Sequence, residues 1–147
     1  MTCPRSIILC GLAVVWSTGS AQISVNSTIT AQQLVEDVLL GVGVTASNIT
    51  FTGAANQRGT FNGIASNIGL TGGVTLASGD IANAIGPNDG CCSGLGGGFF
   101  GQGDQDLEDL SGQNINDAAV LEFDFVPTGD SLEFEFVFAS DEYPNFV

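Results

Sequence analysis

The chain contains no lysine and no histidine, and its two arginines are Arg5 and Arg58. Contacts to nucleic-acid phosphates need clustered Lys and Arg, so DNA and RNA are excluded as partners. An anionic membrane surface is disfavoured for the same reason. Without histidine the serines have no base for a hydrolase triad, and a zinc site built on the adjacent thiols Cys91-Cys92 is short of ligands. Cys3 and Cys10 are the other cysteines. Disulfide bonding between neighbours closes a strained ring, so sequence assigns neither a bridge nor a metal to Cys91-Cys92. Aromatic sugar platforms are scarce too, with one Trp and one Tyr in 147 residues.

Residues 1–21 have the layout of a secretory signal peptide: Arg5 ahead of the apolar run Ile7 to Trp16, then Gly19-Ser20-Ala21 as a small-residue cleavage site. The run is too short for a membrane span. Cleavage there leaves residues 22–147 as a single domain with one arginine against 16 acids, a formal charge of −15. Such charge keeps a protein soluble outside the cell and draws cations or basic surfaces to it.

What the chain has is alternation. Residues 117–147 read DAAVLEFDFVPTGDSLEFEFVFASDEYPNFV, two apolar/acidic runs around Pro127-Thr128-Gly129-Asp130, the pattern of a β-hairpin. With Val126 opposite Ser131, Phe125 faces Leu132, Phe123 faces Phe134 and Leu121 faces Phe136, a ladder that needs a second layer. The other face then sets Asp124 against Glu133 and Glu122 against Glu135, each like-charge pair unfavourable by roughly a few tenths of a kcal/mol. Water and salt, polar groups on a neighbouring strand, or a bound cation must dilute that charge.

Upstream, Thr30 and Gln33 fit a capping box, and Leu34, Val35, Val38 and Leu39 recur at helical spacing before Gly41, predicting a helix over Ala31 to Leu40 with Glu36 and Asp37 on its wet side. Strands are expected in Gly43 to Thr52 after a turn at Ser47-Asn48, in Arg58 to Ile64, and in Gly73 to Ala77. Residues 86–103 carry glycine at eight of 18 positions and read as a long surface loop, with Phe99-Phe100 anchoring it.

Asp104, Asp106 and Glu108 follow that loop at i, i+2 and i+4. Oxygen donors so spaced suit Ca²⁺, although the pattern is not an EF-hand. The competing reading makes Asp104 or Asp106 the cap of a short helix through Leu110, with acids favoured in its first turn. Asp141 and Glu142, where the second run ends, either cap a turn or add carboxylates to the same calcium site. Asn26-Ser27-Thr28 and Asn48-Ile49-Thr50 match the N-glycosylation pattern.

Taken in order, LVEDVLLGVGVTASNITFTG, RGTFNG, NIGLTGGVTLASGD, GQGDQDLEDL, DAAVLEFDFVPTGD and FASDEYPNFV resemble the choice-of-anchor L domain of secreted and surface proteins in bacteria, mainly Bacteroidetes. The resemblance spans Leu34 to Val147. It implies export and a β architecture and leaves the molecular role open. Family members continue past the EYP motif into further strands with an Asn-Asp pair, so the resemblance also implies a C-terminally incomplete domain, and Cys91-Cys92 departs from the pattern.

The expectation is a mainly β domain, an antiparallel jelly-roll-like β-sandwich with one N-terminal α-helix, lying outside the cell or on its surface. Its role is non-catalytic: binding an extracellular ligand or surface polymer, adhesion (including through the glycine-rich loop) or surface architecture, with calcium as the candidate cofactor. A carbohydrate-active enzyme or lectin using the acidic cluster is the alternative, since paired carboxylates hydrolyse glycosides.

Overall fold

The computed structural model describes residues 22–86, 101 and 103–140. The proposed signal peptide, Cys91-Cys92, Phe99-Phe100, Asp141 and Glu142 lie outside the described residues.

The capping box forms as the spacing predicts. Gln33 N donates to Thr30 Oγ1 at 3.2 Å, and Thr30 N donates back to Gln33 Oε1 at 3.1 Å. From this start α1 (Ala31–Gln33) runs directly into a π-helical segment, Leu34–Leu39, closed by Leu40 N donating to Val35 O at 3.0 Å. The expected end shifts by one residue, because Leu40 is already extended (φ −84°, ψ 132°) and terminates the helix before Gly41. Leu34 and Val35 are fully buried while Glu36 and Asp37 are exposed.

Two antiparallel sheets follow. β1 (Ser24–Asn26), β3 (Arg58–Asn62) and β4 (Gly72–Leu76) form the first, in the order β1-β3-β4. β2 (Val44–Thr52) and β5 (Val120–Pro127) form the second. The π-helical segment touches β2, β3 and β4, so it joins strands of both sheets. Its buried Leu34 and Val35, with Ile81 and Ala118, make up the buried apolar core among the described residues. Ile81 opens a 3₁₀ turn, Ile81–Ile85, capped by Asp80 Oδ1 accepting from Ala82 N at 2.8 Å. Gly59 is needed where this turn meets β3: an added Cβ would lie 2.5 Å from Ile81 Cδ1 and collide with the Asn26 carbonyl.

Gln57, in a 3₁₀ turn (Ala55–Gln57), is the polar member of the core at 1 % exposure. Its Oε1 accepts from Ala54 N at 2.6 Å, and its Nε2 donates to Ser78 O at 2.9 Å and to Asp117 O at 3.0 Å. Burial without these partners would be costly; with them one side chain ties three loops together.

The expected hairpin does not form. β5 is present, but its partner is β2, and residues 131–140 carry no regular secondary structure. Val126 faces Thr45, Phe125 faces Ala46 and Leu121 faces Phe51, in place of the predicted Ser131, Leu132 and Phe136. Phe134 and Phe136 are consequently 59 % and 84 % exposed rather than buried. β2 takes one edge of β5, and its electrostatics are milder than those of the hairpin expected on the other. The register places Ser47 opposite Asp124 and Thr50 opposite Glu122, where a hairpin would have placed Glu133 and Glu135. β2 thus supplies the neutral polar neighbours that the carboxylate face requires.

Candidate functional site

Two acidic regions carry the chemistry worth testing. In the first, α2 (Gln105–Ser111) begins at Asp104, whose extended backbone lets Oδ1 accept from Leu107 N at 2.9 Å. Asp106 and Glu108 occupy the first turn, where the helix dipole favours acids. Glu108 Oε1 accepts from Ile115 N at 3.2 Å, Gln105 Nε2 donates to Asp109 Oδ1 at 2.8 Å, and Gly112 closes the helix in the left-handed region at φ 67°.

The capping role therefore falls on Asp104, and Glu108 fastens the chain beyond the helix. Asp106 is exposed and Asp104 and Glu108 are half-buried. Among the described residues no three Asp, Glu or Cys side chains form a group able to hold a metal ion. Chain approach is close here: a Cβ on Gly103 would sit 2.6 Å from Ile115 O and 2.7 Å from Glu108 Oε1. Asp117, at φ 57°, accepts from Gly101 N through Oδ1 at 2.7 Å while its carbonyl serves Gln57. None of this pattern is the converging carboxylate pair that glycoside hydrolysis uses; each bond described serves a backbone amide or a neighbouring amide side chain.

The second region is the β2–β5 ladder. Register shifts between Ser47 and Thr50, and at this bulge Asn48 adopts φ 52° and donates Nδ2 to Asp124 Oδ2 at 2.6 Å. Asparagine tolerates the left-handed region better than other side chains, and the bulge re-aims it across the ladder. The turn expected at Ser47-Asn48 is thus replaced by a bulge inside a continuous β2, and nothing in the sequence marks Asp124 as the partner of Asn48.

Arg58, the sole basic residue of residues 22–147, is engaged inside the protein. Its guanidinium carbon lies 4.9 Å from the Phe51 ring centroid, and Nη1 donates to Ile29 O at 2.7 Å. Its Nε is buried without a hydrogen-bond partner. A cation–π contact across the two sheets is what sequence reasoning missed, since Phe51 and Arg58 are seven positions apart on different strands.

Next to this ladder Leu40, Val44, Phe123, Phe125, Leu132 and Phe134 line an open, mostly apolar groove that Glu133 also borders. Beyond it Phe136, Val137 and Phe138 are 84 %, 52 % and 87 % exposed. No helix among the described residues is long and apolar enough to cross a membrane.

A sequence model of the choice-of-anchor L domain matches residues 22–147. Neither a curated protein nor a solved structure matches the chain.

Proposed function

The chain belongs to the choice-of-anchor L domain family, and from that premise we propose a non-catalytic extracellular or cell-surface domain that presents a binding face. One observation supports this reading above the others: the acids with described bonds hold amides, as Asp104, Glu108, Asp117 and Asp124 do, while Phe134, Phe136 and Phe138 stand exposed close together in one short stretch of chain. Capping and ladder carboxylates stabilise a scaffold. Exposed aromatic surface is what a binding scaffold displays.

The finer reading has four parts. Residues 1–21 direct export and are removed. The two sheets are the described part of a jelly-roll-like sandwich. Adhesion to an extracellular ligand or surface polymer is the role of the exposed face. Calcium is the candidate cofactor of Asp104, Asp106 and Glu108 with Asp141 and Glu142, whose oxygen-only chemistry suits it; since the first three do not converge, its binding has to draw them together.

Expression of the whole chain in a secreting host tests the reading. It predicts protein outside the cell with Gln22 as its first residue and retention on a surface polymer without turnover of that polymer. Release of shortened saccharides, with loss of that activity and not of fold when Asp104, Asp106 and Glu108 are changed to amides, would favour an enzyme instead.

A further inference from the structure

Among the described residues β5 has one partner strand. β2 occupies one of its edges, and the second sheet holds no third strand among the described residues. An edge of this kind presents unpaired N–H and C=O groups and is a template for strand addition.

The side chains around it have a definite chemistry. Along β5, Glu122 and Asp124 alternate with Phe123 and Phe125; along 132–138, Glu133 and Glu135 alternate with Leu132, Phe134 and Phe136. Phe134, Phe136 and Phe138 are 59 %, 84 % and 87 % exposed. At about 200 Å² per ring they leave roughly 450 Å² of aromatic surface in water. That is comparable to the largest apolar patch on a typical monomer, and patches of that size often mark interaction sites.

Charge decides the occupant. A second copy would bring its own 16 acids and no lysine to this edge, opposing carboxylate to carboxylate. Nor do the described residues hold a free cationic side chain to offer, because Arg58 is committed to Phe51 and Ile29. We infer that the open edge of β5, together with Leu132 to Phe138, docks a strand of another protein in which apolar residues alternate with lysine or arginine. The incoming backbone pairs with β5, its basic side chains lie over Glu122, Asp124, Glu133 and Glu135, and an apolar side chain enters the groove beside Phe123 and Phe134. This deepens the binding role proposed above and rests on it.

The test titrates the full chain with a short peptide alternating lysine and valine, and with a glutamate–valine peptide as control, reading binding by calorimetry and β5 amide protection by hydrogen exchange. The lysine peptide is expected to bind, to protect the β5 amides left open by β2, and to weaken as salt is raised. The control is expected to stay silent. Phe134→Ser with Phe136→Ser should weaken the lysine peptide about tenfold or more, the effect of losing an aromatic anchor. Glu133→Gln with Glu135→Gln, which keeps the rings, should weaken it and flatten its salt dependence.

Failure of the lysine peptide to bind overturns the inference. So does binding that ignores the Phe substitutions, which would be charge attraction alone, or a chain that self-associates through residues 132–138 without peptide. If surface retention persists while the peptide fails, this inference falls and the binding role stands; if retention also fails, both fall.

Discussion

The amide of Asn48 reaches the carboxylate of Asp124 across 76 positions of sequence and a 2.6 Å gap. It is the contact that identifies which strand β5 chose. The left-handed backbone of Asn48 (φ 52°) and its amide contribute separately, and substitution separates them. Asn48→Gly keeps the backbone and loses the bond, at a cost of about 1 kcal/mol. Asn48→Ala loses both, and is expected to cost roughly 1–2 kcal/mol more. Urea unfolding of the two variants measures the difference.

Gln57 is the most consequential polar residue of the core. Gln57→Leu strands Ala54 N, Ser78 O and Asp117 O in a buried site. Each orphaned group costs about 1–3 kcal/mol, so this single change is expected to unfold a large fraction of the protein at ambient temperature. Circular dichroism across a urea series shows it as a midpoint shifted strongly downward.

At α2 the two readings of the acids separate by position. Asp104→Ala removes the helix cap and should cost ~1 kcal/mol, whereas exposed Asp106→Asn should change stability by less than about 0.5 kcal/mol. Calcium, if the proposed site binds it, raises the melting temperature of the native chain by mass action, and Asp106→Asn reduces that increment. A melting temperature indifferent to calcium removes the ion from the account.

Salt should stabilise the fold. The charge of −15 on residues 22–147 repels itself in the compact state, and ionic screening relieves exposed carboxylates first. Thermal unfolding in rising sodium chloride is expected to move upward between roughly 0.01 and 0.15 M, where the screening length falls from about 30 Å to about 8 Å. Glu122→Gln should reduce that dependence.

Local signals were legible in the sequence and pairings were not. The Thr30–Gln33 box and the strand expected over Arg58 to Ile64, found at Arg58–Asn62, each depend on a few neighbouring residues; the turn expected at Ser47-Asn48 does not form, because β2 runs through both residues with a bulge there. The partner of β5 depends on residues far away. Alternation in LEFDFVP states which side chains share a face, and says nothing of which strand lies beside them. A hairpin is the nearest solution in sequence, yet it opposes acid to acid, whereas Ser47 and Thr50 of β2 bring neutral neighbours to the edge of β5 that does pair. The acids of 104–108 were ambiguous for another reason: a capping carboxylate and a calcium ligand are the same functional group, and position alone separates them. Gln57 carried no signal, because one glutamine among polar neighbours looks like surface until its three partners converge.

Hydrogen exchange along residues 120–138 tests the central claim most directly, that among the described residues β5 pairs with β2 alone and leaves the phenylalanine run open. A strand bonded on one edge protects alternate amides, so slow exchange at every second residue of Val120–Pro127 with fast exchange throughout 131–138 is the predicted result. Continuous protection along β5 matched by protection at Leu132, Phe134 and Phe136 would contradict it, since only a closed hairpin produces both.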